Sequence, residues 1–155
     1  MADNILIRRA KESDVPEMLA LVRELAEFEK APEAVTVTLA EFAEAGFGDR
    51  PVWQAFVAEC PENDALVGMA LYYIRYSTWK GKMLYLEDII INQAFRAQGI
   101  GNRLMGCLEQ EARDLKLKGM CWQVLDWNEP AISFYRKFPD TQFSGEWINV
   151  VRSLS

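Results

Sequence analysis

The stretch that most constrains this chain is YLEDIIINQAFRAQGIGNRLMGCLEQEA, residues 85–112. Ile89, Ile90 and Ile91 do not alternate with polar residues, a pattern that suits a strand covered on both faces. Leu104, Met105, Leu108, Ala112 and Leu115 then recur at helical spacing and predict a helix running to about Lys118. Between the two, Gly99 and Gly101 stand one residue apart. Lacking Cβ, they allow unusual backbone dihedrals and the close approach of a ligand. The helix start adds unpaired N–H groups and the positive end of its dipole. Together these make an anion site, most naturally for phosphate, and Arg96 offers a formal positive charge to the same group. A P-loop needs a lysine and a hydroxyl residue after its last glycine, where this chain has Asn102 and Arg103. A dinucleotide fingerprint needs a third glycine where Leu104 stands. Both nucleotide readings fail on residue type. The glycines alone do not separate an anion site from a plain turn with glycines chosen for packing.

The rest of the chain supplies the frame. Ile5–Ala10 reads as a strand. Ser13 offers an N-cap to a helix carrying Val15, Met18, Leu19, Val22 and Leu25 on one stripe. TLAE, residues 38–41, has the form of a capping box for a second helix ending near Gly46. Val52–Glu59, Ala65–Tyr76 and Lys82–Asn92 read as three strands joined by the turn-rich segments CPEND and STWKG. Met120–Asp126 is a further strand, Pro130–Lys137 a short helix, and EWINVV a last strand. The order predicts a mixed α/β fold in one domain, residues 1–155, with a right-handed parallel crossover around residues 83–125.

Two absences narrow the chemistry. The 155 residues contain no histidine, which removes a Ser-His-Asp or Cys-His relay and any imidazole metal site; no metal is expected. The formal net charge of -6 lacks the basic footprint of a nucleic-acid binder. It is compatible with a cationic substrate, although acidity for solubility alone is the blander account. The start of the chain does not read as a signal peptide, and no apolar run is long enough to span a bilayer. The three cysteines, Cys60, Cys107 and Cys121, have no metal-ligand spacing; Cys107 and Cys121 read as small core residues, and a reducing cytoplasm fits best.

RAQGIG after an apolar strand resembles the Arg/Gln-x-x-Gly-x-Gly/Ala signature of the GCN5-related N-acetyltransferases (GNAT). ELAEFEKAPE, GFG, YYIRYSTWKGKMLYLED and DWNEPAISFYRK resemble, in order and spacing, blocks of its spermidine/spermine (diamine) and thialysine acetyltransferase branch. The match runs from about Ile5 to Lys137. It implies a GNAT fold: a mixed, mostly antiparallel sheet flanked by helices, with a splayed parallel strand pair holding coenzyme A. It implies acetyl-CoA as co-substrate, gripped through its pyrophosphate by Arg96, Ala97, Gln98, Gly99, Ile100, Gly101 and Asn102. The backbone of Ile89, Ile90 and Ile91 would pair with the pantetheine arm as an added strand would. Asn128, an N-cap candidate on spacing, would also touch that arm, together with Pro130 and Ala131. A homodimer is a family expectation.

Acetyl transfer to an amine needs the amine unprotonated. A lysine-like amine of pKa ~10.4 is about three units from that state at pH 7, roughly 4–5 kcal/mol. A base or desolvating site is therefore the larger requirement, and an acid for the departing thiolate the smaller. Glu87 and Asp88 are adjacent on the strand leading into the turn, so on regular alternation only one looks into the cleft. The resemblance assigns Glu87 to the amine as orienter or base; Asp88 reads slightly better as a buried ion pair or strand-loop hydrogen bond. Tyr135 shares a helical face with Ala131, Phe134 and Phe138, the spacing of a core aromatic. The resemblance instead makes it the general acid. No cysteine stands at a clear nucleophile position, which favours direct attack in a ternary complex over an acetyl-enzyme.

On the acceptor side the resemblance points to Phe28, Glu29, Trp79, Glu87 and Asp88. Ser77 and Thr78 stand where polyamine-acetylating relatives carry an acidic residue before the tryptophan, which tells against long polyamines. Phe138 and Pro139 replace a glycine turn usual in relatives. The implied substrate is a small primary amine of diamine, polyamine or lysine-analogue type. The alternatives are a protein or antibiotic amine, or a non-catalytic acetyl-CoA sensor, which has no need to keep both Glu87 and Tyr135.

Overall fold

A computed structural model describes residues 4–154. They fall into two compact units, one reaching to Trp122 and the other starting at Gln123. In the first, β1 (Leu6–Arg9), α1 (Val15–Phe28), α2 (Leu39–Phe47), β2 (Gln54–Cys60), β3 (Ala65–Ser77), β4 (Gly81–Ile91), α3 (Ile100–Asp114) and β5 (Met120–Cys121) follow in sequence. The five strands form one sheet in the order β1-β2-β3-β4-β5. All neighbours are antiparallel except β4 and β5, which run parallel. The sheet is the mixed, mostly antiparallel one the family resemblance implies.

Strand alternation sends side chains to two faces, each covered by helix. Val57, Met69, Leu71 and Ile90 pack with Val15, Met18 and Leu19 of α1 and with Phe42 and Trp53. On the other face, Tyr72 donates its hydroxyl to Glu111 of α3 at 2.6 Å, and Arg9 bridges the same carboxylate at 2.7 Å. Leu104, Met105 and Leu108 of α3 are fully buried. Ile90 is buried, while Ile89 and Ile91 are half-buried.

Several boundaries depart from the sequence reading. Ser13 does not cap α1. It lies in a short 3-10 turn, Glu12–Asp14, and Asp14 stands at the N-cap position of α1 without a side-chain bond to the helix. The Asp14 carboxylate accepts from the Lys11 amide at 2.7 Å and from Arg8 Nη1 and Nη2, at 2.7 and 3.0 Å. The capping box of α2 is as predicted: Glu41 N donates to Thr38 Oγ1 and Thr38 N to the Glu41 carboxylate. The helix α3 stops at Asp114 because Lys116 turns left-handed (φ 57°) and Leu117 N reaches back to Ala112 O at 2.9 Å. A left-handed residue with such a back-reaching bond ends a helix. The expected strand at Met120–Asp126 shrinks to β5. Cys60 is the buried cysteine, Cys107 and Cys121 are half-buried, and all three are free thiols.

In the second unit, α4 (Glu129–Arg136) starts as predicted, with Asn128 Oδ1 accepting from Ala131 N at 3.3 Å. The predicted strand at EWINVV does not form: among the described residues no regular element follows α4. Trp147, Ile148, Val150 and Val151 are 82% to 89% exposed. A strand exists only through a partner's hydrogen bonds, and an apolar run by itself does not provide one.

Candidate functional site

The glycine turn has two left-handed residues, Ala97 (φ 62°) and Gly99 (φ 83°). Gly101 is not one of them: it lies in the first turn of α3, with helical backbone. The second special dihedral thus falls on Ala97 rather than on the second glycine, and since alanine seldom adopts φ > 0 its sequence gives no signal for it. A Cβ at Gly99 would meet nothing within 4 Å, so the space over that residue is open. The first bond of the α3 ladder is Arg103 N to Gly99 O at 3.1 Å. The amides of Ile100, Gly101 and Asn102 precede that ladder and lack an intrahelical acceptor, the condition for holding an anion.

Pairing between β4 and β5 covers only Leu84↔Met120 and Tyr85↔Cys121, while β4 runs on to Ile91. Beyond Tyr85 the two strands no longer pair, the parting expected of a splayed pair. The Ile91 carbonyl accepts from Arg96 Nε at 3.1 Å, and the Arg96 guanidinium carbon lies 5.4 Å from the Phe28 ring centre. Glu24 accepts from Asn92 Nδ2 at 3.3 Å and Gln93 N at 3.2 Å. These contacts hold the segment before the glycine turn against α1. An open β4 edge, unpaired first-turn amides and free space over Gly99 fit the pantetheine and diphosphate of a coenzyme.

The carboxylates differ from expectation in an informative way. Opposite β4, Tyr72 pairs with Leu86 and Leu71 with Asp88, so Glu87 is the extra residue of a β-bulge. A bulge sets two residues against one and breaks the alternation. Leu86 goes with Tyr72 toward α3, and Asp88 with Leu71 toward α1. Tyr73 donates to Glu87 Oε1 at 3.0 Å, and Tyr73 shares the Leu71 side of β3. Glu87 and Asp88 therefore lie on the same side of the sheet, and the rule of opposite faces fails here.

Asp88 also lacks the ion pair or loop hydrogen bond expected of it; no described residue provides one. It lines a cavity of about 190 Å³ together with Glu29 and the apolar side chains of Val22, Leu25 and Val35. Burial pushes its carboxyl up to about 6, aided by the charges of Glu87 and Glu29. Burial raises Glu29 as well. Glu29 is held there by the end of α1, where Lys30 is left-handed (φ 62°) and Ala31 N bonds back to Ala26 O at 2.8 Å. Phe28 is 38% exposed, and Trp79, at the tip of the β3–β4 hairpin, is 90% exposed. Ser77 stabilises that tip, its Oγ accepting from Trp79 N and Lys80 N.

In the second unit Tyr135 is buried on α4, with Phe134 edge-on to its ring at 5.5 Å. Pro130 and Ala131 form the first turn behind the Asn128 cap. Among the described residues no cluster of His, Cys, Asp or Glu is arranged to hold a metal ion, and no helix is long and apolar enough to cross a membrane.

A parallel strand pair that parts beside a turn with unbonded first-turn amides suits an acyltransferase that takes its acyl group from a coenzyme. The chain belongs to the Acetyltransferase (GNAT) family, whose profile matches residues 15–138. The family draws on acetyl-CoA, and the match stops two residues after α4 ends. Thialysine N-epsilon-acetyltransferase of Bos taurus is 39% identical over 138 residues, covering 85% of this chain and 81% of that protein. Spermidine/spermine N(1)-acetyltransferase-like protein 1 of Homo sapiens is 38% identical over 86% of this chain, though over only 20% of its own length. Among solved structures, an aminoglycoside acetyltransferase from an uncultured soil metagenomic sample, in complex with trehalose, superposes with a TM-score of 0.78. It covers 99% of this chain and 98% of its own at 18% identity, and so shares the fold.

Proposed function

We propose that this acetyltransferase acts on the primary amine of a small lysine-like or diamine acceptor, by direct attack in a ternary complex. The observation that carries the reading is the cavity walled by Glu29 and Asp88. Two carboxylates in apolar surroundings hold their charge reluctantly, and a cation entering between them relieves both burial and mutual repulsion. At about 190 Å³ the space is below the roughly 300–1,000 Å³ usual for drug-sized ligands. It suits an alkylammonium end and disfavours a whole antibiotic. Likeness to thialysine and spermidine/spermine enzymes supports the same class.

The coenzyme supplies an acyl carbon activated as a thioester. Amides of residues 97–102, with Arg96, bind its diphosphate, and the β4 edge at Ile89–Ile91 orients its arm. Asn128, with Pro130 and Ala131, supports that arm from the α4 start. Glu87 orients the acceptor nitrogen and takes its proton, directly or through water. Tyr135 holds a proton at Oη for the departing thiolate. Three free thiols suit a reducing cytoplasm.

The test is thiol release from acetyl-CoA across lysine, thialysine, ornithine, short diamines, spermidine, an aminoglycoside and a lysine peptide. Turnover concentrated on the short amines supports the reading. Turnover only with the peptide or aminoglycoside, or with nothing, overturns it.

A further inference from the structure

Glu87 is exposed, and an exposed glutamate on a strand ordinarily moves among several rotamers, which is a poor condition for handling a proton. Three features of the β3–β4 hairpin restrain it. As the bulge residue it stands out of the regular ladder. The Tyr73 hydroxyl donates to its Oε1 at 3.0 Å. The Tyr73 ring is itself fixed: it pairs directly across from Tyr85, stacks on that ring at 5.2 Å with planes 27° apart, and the Arg75 guanidinium lies over Tyr85 at 5.6 Å.

We propose that Tyr73 is a positioning residue for acetyl transfer, pinning one oxygen of Glu87 so that the other is presented to the acceptor amine. This rests on the assignment of Glu87 to the amine. Its geometry follows from the bulge. On a regular strand Glu87 and Asp88 would point to opposite faces, and the carboxylate that meets the amine would be separated by the sheet from the acidic cavity. With the extra residue both lie on the side of α1, and the Tyr73 bond selects the Glu87 rotamer. Asp88 and Glu29 draw the ammonium in; Glu87, held from behind, receives its proton.

The Tyr73 donor keeps its proton across the working range. Burial, together with the bond to Glu87, pushes the Tyr73 hydroxyl up to about 12, so it remains protonated wherever amines are acetylated. A hydroxyl that never titrates near neutrality holds the carboxylate without competing for the proton in transit. The other charged or titratable groups around it are Tyr85, Arg75 and Glu87 itself, with Asp88 beyond.

The experiment is a double-mutant cycle of Tyr73→Phe and Glu87→Gln, reading kcat and KM for amine and acetyl-CoA, the pH profile and thermal unfolding. Phe keeps the ring and its stacking on Tyr85, so the fold survives. Loss of a hydrogen bond to a charged group predicts that Tyr73→Phe lowers kcat/KM for the amine about ten-fold. The coenzyme KM should stay unchanged, the pH profile should approach that of Glu87→Gln, and the double variant should be no slower than Glu87→Gln alone. If Tyr73→Phe is silent while Glu87→Gln is slow, or if the two losses multiply, Tyr73 does not act through Glu87 and the inference fails. Full activity of Glu87→Gln overturns it by another route, because the assignment of Glu87 then falls first.

Discussion

Arg96 lies with its guanidinium 5.4 Å from the centre of the Phe28 ring while its Nε donates to the Ile91 carbonyl at 3.1 Å. One side chain thus joins the end of α1, the end of β4 and the glycine turn. Arg96→Ala removes a charge beside the proposed diphosphate site and should weaken coenzyme binding about ten-fold at low salt, less at high salt. Phe28→Ala removes the ring face under Arg96, worth roughly 0.5–1 kcal/mol at an exposed site. It should weaken coenzyme binding by about two- to five-fold, although the family resemblance assigns Phe28 to the acceptor side. Calorimetric titration of each variant checks both.

Asp88 carries the sign of a charge that opposes folding. Its folded pKa, about 6, exceeds the unfolded value of ~3.9. The penalty is therefore absent below about pH 4, grows between the two values and is complete above pH 6. Asp88→Asn should stabilise the protein at pH 7 by roughly 2–3 kcal/mol, with the gain vanishing near pH 4. Urea denaturation at both pH values measures this. The same charge should serve the acceptor, so the amine KM of the unmutated enzyme rises as pH falls through about 6, and Asp88→Asn flattens that rise.

Tyr135 is buried like a core aromatic and proposed as an acid, and one substitution separates the two. Tyr135→Phe preserves packing but removes the proton, so turnover should fall by roughly 10²-fold with coenzyme affinity unchanged. Equal turnover would leave Tyr135 a packing residue.

Gly46, in the last turn of α2, faces Trp53, whose ring lies 5.0 and 5.6 Å from those of Phe42 and Phe47. A Cβ at position 46 would overlap the Trp53 ring. Gly46→Ala should therefore destabilise by about 1–3 kcal/mol through overpacking and change the tryptophan fluorescence of the native state.

Most of the frame was legible because it rests on local pattern. The capping box at Thr38 and Glu41, the stripe of α3 and the Asn128 cap are all short-range signals. What escaped depends on partners distant in sequence. The bulge at Glu87 arises from register with Leu71 and Tyr72, and no feature of LEDIII announces it. The cavity at Asp88 needs Glu29, brought there by the left-handed turn at Lys30. Ala97 takes the dihedral that the glycine pattern assigned to Gly101. EWINVV reads as a strand from composition, yet pairing, which composition does not encode, is what a strand requires.

The central claim is that the main chain around residues 97–102 holds the diphosphate of the acetyl carrier. Backbone amide NMR during titration with coenzyme A tests it most directly. The account predicts that the amides of Ala97 to Asn102 move most, with those of Ile89–Ile91, and that the shifts saturate with the binding isotherm. Saturable binding that leaves these amides unmoved, or no binding at all, would contradict it.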